Sequence, residues 1–460
     1  MNKRSLALIT ALGFAATACK DSTGVPELNN VSAEVLNGGL TRPLTSALAT
    51  GMLASARGNV SGTYIVFSET LARDLYRLDA NEQRFITETL GGISDPSGFV
   101  GGGVFNGFYS TIRTANTLVN GMPTATGLSA PEKAATIGLS QTIKALSYYR
   151  ALEMRDSLGI AVDVNHPIDA PPAAFVCKPN ALAFISTLLD SAKVNLAAGG
   201  TAFPFPMPSG FSLIGNFTTP AGTILFANAL KGKVELYRGL DHAKPNPASF
   251  AAAIAALNAS YLDVAGSMDK GPYNSYSTAN NDAVNPVSDA LIYLNPLVAD
   301  SIQVGDLRSS KILTAPKRSL FGVSSTYQPT SSSPTGAITS PIGILKNSEL
   351  ILLRAQAEIE MGDLAAATAD INTVRTKDGG LAPLPLLASK TAAINAVLYE
   401  KRYSLLNEGA QRFVDLRAYN RLNGTYLRKE LATDPFQAAL AIPKPEQDAR
   451  GGGVIVPTCS

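Results

Sequence analysis

Near the C-terminal end of the sequence, six ionisable residues of both signs fall within eighteen positions: Glu400, Arg402, Glu408, Arg412, Asp415 and Arg417. Paired carboxylates can act as general acid and general base, as they do in glycoside hydrolysis. A general acid must hold its proton near neutral pH, whereas interleaved Arg side chains keep neighbouring carboxylates ionised. We therefore interpret this cluster as a structural ion-pair network that joins the last long helix to the turn after it.

Other catalytic patterns are missing from the sequence. The only two histidines, His166 and His242, are far apart and do not have the HExxH spacing of a zinc site. The glycine-rich segment 101–107 matches neither the dinucleotide fingerprint nor a P-loop, and no GxSxG elbow occurs. We predict that the chain is not an enzyme and that it has no catalytic residues, no metal and no cofactor.

Aromatic and amide side chains could instead bind a polymer. A sugar-binding site needs aromatic faces for the pyranose rings and polar groups for the hydroxyls. Trp is absent, so these faces must come from the 15 Tyr and 17 Phe. Segments 61–85 and 266–343 contain this mixture. The predicted ligand-binding residues are Tyr64, Tyr76, Arg77, Asn81, Tyr273, Asn274, Tyr276 and Tyr327. The alternative for each tyrosine is core packing with its hydroxyl satisfied.

The spacing of apolar residues favours helix from about residue 40 to 265, with breaks at Gly and Pro clusters such as 204–208. In segment 130–159, Ile137, Ala145, Tyr148 and Leu152 lie near one face, and a second apolar stripe widens it. This pattern predicts a central, buried helix. Helices should therefore form the scaffold that positions the binding residues.

Two later segments have contrasting patterns. Residues 266–343 are rich in Ser, Thr, Pro, Asn and Tyr, which indicates a long irregular insertion. Residues 347–375 predict a helical hairpin, with Asn347 or Ser348 as the first cap, Gly362 in a left-handed conformation and Asp363 as the second cap. Its many alanines allow close backbone approach, as in tetratricopeptide-type pairs.

Composition limits the class of protein. The chain has 460 residues, and its 38 basic and 36 acidic side chains give a formal charge of only +2. A nucleic-acid-binding protein would need a basic patch or a long basic run, and the sequence has neither. We predict a globular protein that does not bind DNA or RNA.

The N-terminal segment has the pattern of an export signal. Lys3 and Arg4 precede an apolar stretch, and the small residues 16–18 precede Cys19. This junction resembles the lipobox of bacterial lipoproteins, in which the cysteine is acylated. The resemblance implies a signal peptide at 1–18, lipidation of Cys19 and a tether at 19–35 that anchors the chain to a membrane. An ordinary secretory signal with a coincidental cysteine is the alternative.

Two further cysteines, Cys177 and Cys459, would lie in a compartment where disulfides persist. We predict that they pair and attach the C-terminal tail to the body of the protein. Two free buried thiols are the alternative.

Several segments together resemble the SusD/RagB family of outer-membrane nutrient-binding lipoproteins. The matching segments are FNGFYSTIRTANTLVN, with Phe105, Tyr109, Ile112, Ala115 and Asn116; the hairpin LKNSELILLRAQAEIEMGDLAAATADINTVR; LYEKRYSLLNEGAQRFVDLRAYN; and LAIPKPEQDA. Two departures are the absence of Trp and the ending GGGVIVPTCS. The resemblance covers most of the chain after the signal segment.

The resemblance implies a mainly α fold, a tetratricopeptide-like helical-pair scaffold with a loop-rich insertion at 266–343, in one domain over 36–460. It also implies a lipid-anchored, surface-exposed protein of the outer membrane that binds an oligosaccharide or oligopeptide nutrient. Its partner would be a SusC-type TonB-dependent channel, over which it acts as a lid. Two other functions stay open: a surface glycan-degrading enzyme, and a helical-repeat adaptor without a nutrient ligand.

Overall fold

The computed structural model describes residues 39–60, 62–92, 99–100, 102–167, 169–241, 245–280, 282–330 and 338–452. The described chain is mainly helical, as predicted. The helices before residue 265 are α1 (Arg42–Gly58), α2 (Gly62–Leu71), α3 (Arg84–Thr87), α4 (Gly102–Gly121), α5 (Ala130–Arg155), α6 (Lys178–Ala197), α7 (Pro220–Gly239) and α8 (Ala248–Asn258). Those after it are α9 (Pro296–Asp300), α10 (Asn347–Met361), α11 (Leu364–Lys377), α12 (Lys390–Ser404), α13 (Gln411–Ala418) and α14 (Lys444–Ala449). The predicted signal segment and tether, Cys19, His242 and Cys459 lie outside the described residues.

Hydroxyl caps followed by proline begin several of the long helices. Thr41 accepts a hydrogen bond from the Leu44 amide at the start of α1. Thr219 accepts one from the Gly222 amide at the start of α7. Each cap satisfies an amide that the helix itself leaves unpaired, and proline fits the first turn because it lacks that donor. The sequence therefore determines where these helices begin.

The predicted central helix is α5, and nearly all of its second half is buried. Its start is a capping box, because Ser129 and Glu132 each accept a hydrogen bond from the other's backbone amide. It packs closely against α6 at Gly138, where an added Cβ would lie 2.8 Å from the Leu196 nitrogen. Helices α4 to α8 pack as successive neighbours, and their apolar faces contribute to the largest core cluster.

The predicted helical hairpin consists of α10 and α11. Gly362 ends α10 in the left-handed region at φ 85°, and Asp363 caps α11 by accepting a hydrogen bond from the Ala366 amide at 3.0 Å. The predicted first cap is wrong, because Lys346 occupies that position and supplies no side-chain cap. Asn347 instead donates to the carbonyl of Asp263 at 2.7 Å, which fastens the hairpin to the preceding segment.

The insertion is less irregular than the sequence predicted. The described strands are β1 (Leu75–Arg77), β2 (Ile160–Ala161), β3 (Phe175–Val176), β4 (Tyr273–Asn274), β5 (Ile292–Leu294), β6 (Ile312–Leu320), β7 (Val323–Pro329) and β8 (Ile342–Gly343). They form four antiparallel pairs, β1 with β5, β2 with β3, β4 with β8, and β6 with β7. Five of these strands lie within 266–343. The hairpin of β6 and β7 is interrupted between Thr314 and Arg318, where Pro316 cannot donate a ladder hydrogen bond.

One strand pair connects the insertion to the segment after α2, and another joins the two ends of the insertion to each other. Tyr76 in β1 pairs with Tyr293 in β5, and Asn274 in β4 pairs with Ile342 in β8. Helices α10 to α12 have a core cluster of their own. None of the helices among the described residues is both long enough and apolar enough to cross a membrane.

Candidate functional site

The C-terminal ionic cluster predicted from the sequence forms a structural network, and its partners come from distant parts of the chain. Glu400 lies 2.7 Å from Arg308 and 3.0 Å from Arg375. Arg402 and Arg412 both contact the buried carboxylate of Asp74, at 2.6 and 3.0 Å. These contacts join α12 and α13 to the turn after α2 and to the segment before β6.

The same network contains Glu408, which lies 2.7 Å from Lys346. Burial raises the pKa of Glu408, against the opposing effect of the Lys346 ammonium. Burial likewise raises the pKa of Glu400, against the effect of Arg308 and Arg375. The two carboxyl groups are therefore less acidic than interleaved Arg and Lys side chains alone would make them, because desolvation outweighs the opposing effect of these charges.

Two predicted ligand-binding tyrosines lie in the core. Tyr76 is fully buried; its hydroxyl donates to Glu430 Oε1 at 2.7 Å and accepts from the Asn295 amide at 2.6 Å. Tyr64 is also buried, and its hydroxyl donates to Glu153 Oε2 at 2.6 Å. This is the packing role described above as the alternative. Both rings are almost entirely removed from the protein surface.

Of three other predicted residues, Arg77 and Asn81 both contact Asp79, whereas Tyr327 lies in β7. Arg77 follows Tyr76 in β1 and lies 3.2 Å from both Asp79 and Asp289. Asn81 is exposed in the turn after β1. Tyr327 is half-buried in β7 and packs against the cluster around Leu294 and Tyr403. None of these three residues lines either of the two cavities described below.

The remaining three, Tyr273, Asn274 and Tyr276, lie together in and after β4. Tyr273 and Asn274 line a cavity of about 250 Å³. The hydroxyl of Tyr273 donates to the carbonyl of Asp269 at 2.5 Å, so its ring is fixed against the cavity wall. We take this cavity, named the β4 cavity, as the candidate functional site.

The opposite wall of the β4 cavity is one face of α1. Thr50, Leu53, Ala54 and Arg57 line it, with the spacing of neighbouring turns of a helix. A proline-rich loop at 206–208 and the ring of Phe211 complete the lining. Most of these groups are hydrocarbon, and the polar groups are few.

Arg57 forms the polar edge of the β4 cavity. Its guanidinium donates to the carbonyl of Ser275 at 2.9 Å and to Asp282 Oδ1 at 2.6 Å. Hydrogen bonds from Ser277, from the Ala283 amide and from Arg57 lower the pKa of Asp282 to about 2. The guanidinium carbon also lies 5.9 Å from the centre of the Tyr276 ring, within range of a cation–π contact. Arg57 therefore holds the strand residues and the cavity rim together.

Three hydrogen-bond donors at this wall are buried without a partner among the described residues: Asn274 Nδ2, Arg57 Nε and the hydroxyl of Tyr276. Burial raises the pKa of Tyr276 to about 12, so the group keeps its proton at neutral pH. More than nine in ten buried polar groups in proteins have a partner. Two of these three donors, on Asn274 and Arg57, belong to residues that line the cavity.

This geometry fits one end or one side group of a larger molecule. Small-molecule pockets are usually apolar, with a few polar groups that fix orientation, and their volumes range from roughly 300 to 1,000 Å³. The β4 cavity has that composition, but its volume is slightly smaller than that range. An oligomer would insert one unit and leave the rest outside.

Sequence reasoning missed the α1 and 206–211 sides of this cavity. Each side taken alone could be read from the sequence, because positions 50, 53, 54 and 57 have the spacing of one helix face and the proline cluster marks a loop. Nothing in the sequence indicated that this loop and β4 would meet α1, since 218 positions separate Arg57 from Ser275.

The remaining predicted chemistry concerns cysteines and metals. Cys177 is disulfide-bonded. Its predicted partner, Cys459, and the predicted lipidation residue, Cys19, lie outside the described residues. Among the described residues, no group of three or more His, Cys, Asp and Glu side chains is placed to hold a metal ion.

Comparison with known proteins finds matches to solved structures but none to family models or curated sequences. No family model matches the sequence, and no curated protein matches it. Solved structures do match the fold, over about nine-tenths of this chain.

A SusD superfamily protein from Bacteroides fragilis has a TM-score of 0.67 and 16% identity, over 89% of this chain and 97% of that one. A SusD homologue from Bacteroides thetaiotaomicron has a TM-score of 0.66 and 14% identity, over 91% and 97%. Surface glycan-binding protein A from the same species, solved with laminarihexaose, has a TM-score of 0.63 and 12% identity, over 90% and 98%. The predicted resemblance is confirmed at the level of structure: this chain has the fold of the SusD superfamily.

Proposed function

We propose that this chain is a lipid-anchored, surface-exposed binding protein of the outer membrane. It binds an oligosaccharide or oligopeptide nutrient and delivers it, as a lid, to a SusC-type TonB-dependent transporter. The ligand enters the β4 cavity with one unit and contacts the exposed surface with the others. The chain itself breaks no bond.

The observation that carries this proposal is the SusD fold combined with the β4 cavity. One protein of the same fold was solved with a bound oligosaccharide, laminarihexaose. In this chain, the cavity has a mostly apolar lining, and two of the residues that line it, Asn274 and Arg57, carry donors without a partner among the described residues; this suits a group that is apolar on one face and bears oxygens on another.

A non-catalytic role is supported by the carboxylates. Those of the C-terminal cluster are engaged by basic side chains in the interior, as Asp415 is by Lys401 at 2.7 Å. None of them lines the β4 cavity. A hydrolase of this type would need two carboxyl groups on either side of a substrate cleft.

The binding step is tested by calorimetric titration of the chain without its signal segment. The probes are laminarihexaose, maltohexaose and a mixed hexapeptide library. Ala54 is exposed on α1 and lines the cavity, so Ala54→Phe fills the space without disturbing the core. Ala47→Phe is the control, because Ala47 is exposed two turns earlier on the same helix and does not line the cavity.

The expected result is that at least one probe binds, that Ala54→Phe weakens its binding at least about tenfold, and that Ala47→Phe does not. Equal affinity of the Ala54→Phe variant would remove the cavity from the proposal. Failure of all probes, or release of shortened products, would contradict the binding function.

The anchor and the partner need a separate experiment. The protein is extracted from its own outer membrane in mild detergent, beside a Cys19→Ala variant. We expect a β-barrel channel to accompany the parent protein, and Cys19→Ala to appear in the soluble fraction without acyl chains. An unacylated parent protein, identified by mass spectrometry of its N-terminal peptide, would contradict the anchor.

A further inference from the structure

A second and larger cavity lies on the side of α4, next to the segment that follows β2. Its volume is about 460 Å³, within the usual range for small-molecule sites. No residue of the β4 cavity lines it. The two cavities are therefore separate sites, and an inference about the larger one does not depend on the proposed function.

The floor of this α4 cavity is aromatic. The rings of Phe105 and Tyr109, one helical turn apart, lie 4.5 Å from each other between their centres at an angle of 33°. Phe105 is almost fully buried and supports Tyr109, which is only half-buried. The Tyr109 hydroxyl donates to the carbonyl of Ala161 at 2.7 Å, so the ring is held in place. An apolar ring face of a ligand could pack against this surface.

A polar stripe runs beside the aromatic floor. Asn106, Ser110 and Arg113 are exposed, line the cavity and follow one another at helical spacing. None of their side chains has a hydrogen bond or an ion pair with any other described residue. An amide, a hydroxyl and a guanidinium are thus all available to a ligand.

The charges around the α4 cavity leave a positive excess. Glu446 accepts two hydrogen bonds from Arg450, at 2.8 and 2.5 Å, so these two charges offset each other. The described carboxylates that line the cavity include no partner for Arg113. His166 is exposed and lines the cavity, and its Nδ1 lies 3.2 Å from the carbonyl oxygen of the adjacent Pro167.

We propose that the α4 cavity binds an acidic sugar unit, a pyranose that carries a carboxylate. The apolar face of the ring packs on Tyr109, the hydroxyls meet Asn106 and Ser110, and the carboxylate pairs with Arg113. A planar guanidinium is well suited to a carboxylate because it can donate two parallel hydrogen bonds. A neutral sugar would leave this charge without a partner.

The test is calorimetric titration with trigalacturonate, maltotriose and triglutamate, at low salt. Arg113→Gln removes the charge at an exposed position, and Ser110→Trp fills the cavity from the same helix face. Arg428→Gln is the matched control, since Arg428 is exposed and does not line the cavity. Ala54→Phe is included because it alters only the β4 cavity.

We expect trigalacturonate to bind more tightly than the other two probes. Arg113→Gln should weaken this binding at least about tenfold, Ser110→Trp should abolish it, and Arg428→Gln and Ala54→Phe should leave it unchanged. No binding of trigalacturonate, equal binding of maltotriose, or tighter binding of triglutamate would overturn the proposal. So would unchanged affinity in Arg113→Gln. Loss of binding in Ala54→Phe alone would assign the acidic sugar to the β4 cavity instead.

Discussion

Arg402 donates to Asp74 Oδ1 at 2.6 Å, across 328 positions of sequence. The carboxylate of Asp74 is almost completely buried at the turn between α2 and β1, whereas Arg402 lies near the end of α12. One ion pair therefore connects the N-terminal helices, the β1–β5 pair and the C-terminal helices. Because it couples such distant segments, its removal should affect the unfolding of the whole chain.

We predict that Asp74→Asn lowers the free energy of unfolding by about 3–5 kcal/mol. The variant leaves two largely buried guanidinium groups, those of Arg402 and Arg412, without their common counter-charge. The measurement is urea unfolding followed by far-ultraviolet circular dichroism. A single transition at lower urea is expected, rather than separate loss of one segment.

Asp190→Asn is the control for this experiment. Asp190 also contacts two basic groups, Lys231 at 2.6 Å and Lys193 at 3.0 Å, but half of its side chain is exposed. Surface ion pairs contribute about 0–1 kcal/mol. Equal destabilisation by the two variants would contradict a central role for Asp74.

The paired substitutions Tyr64→Phe and Tyr276→Phe separate a packing tyrosine from a candidate binding one. Tyr64→Phe removes the hydrogen bond to Glu153 and should destabilise the fold by about 1–3 kcal/mol. Tyr276→Phe removes a buried hydroxyl that has no partner among the described residues, so it should not destabilise the fold and should raise the free energy of unfolding by up to about 1–3 kcal/mol. Thermal unfolding of both variants measures the difference, and a reversed order would contradict the assignments.

The helical part of the fold was predictable because its signals are local. Apolar spacing indicated α5, and Gly362 with Asp363 indicated the turn between α10 and α11. The predicted first cap of α10 is wrong by one position, because Lys346, and not Asn347, occupies the cap. Asn347 is used for hydrogen bonds to the segment before β4, which the sequence of α10 does not reveal.

The candidate site was only partly predictable because it depends on distant contacts. Tyr273 and Tyr76 are both predicted ligand-binding residues, yet Tyr273 lines a cavity and Tyr76 is fully buried in the core. They lie in different strand pairs, Tyr76 opposite Tyr293 and Tyr273 opposite Gly343, and the sequence does not reveal these pairings. Aromatic composition alone indicated Tyr76, whereas the unpaired polar stripe at Asn106 and Arg113 carried no sequence signal as a site.

We predict that Cys177 is cross-linked to Cys459. The structure shows Cys177 in a disulfide, and Cys19 would be acylated under the proposed function, which leaves Cys459 as its partner. Digestion without reductant, followed by mass spectrometry, should give a peptide pair that contains both residues. A bridge to Cys19, or a free thiol at Cys459, would contradict this pairing.

The last prediction concerns the pH dependence of stability and rests on Glu358 in α10. Arg354 donates to both oxygens of Asp370 at 2.7 Å, whereas its nearest approach to Glu358 is 3.8 Å. Burial, together with the carboxylates of Asp370 and Asp363, raises the pKa of Glu358 to about 8, against the effect of Arg354. The folded state therefore holds a proton that the unfolded chain, with a pKa near 4.3, releases.

The pKa of Glu358 is higher in the folded state than in the unfolded state. Its contribution to stability is therefore complete below about pH 4 and is lost as the pH rises to about 8. Glu358→Gln should flatten the pH dependence of the urea midpoint between pH 5 and 8, and raise the midpoint at pH 8. Asp370→Asn frees Arg354 to pair with Glu358, so it should also reduce the slope. If both variants keep the slope of the parent protein, another group must titrate in this range and Glu358 is ionised at neutral pH.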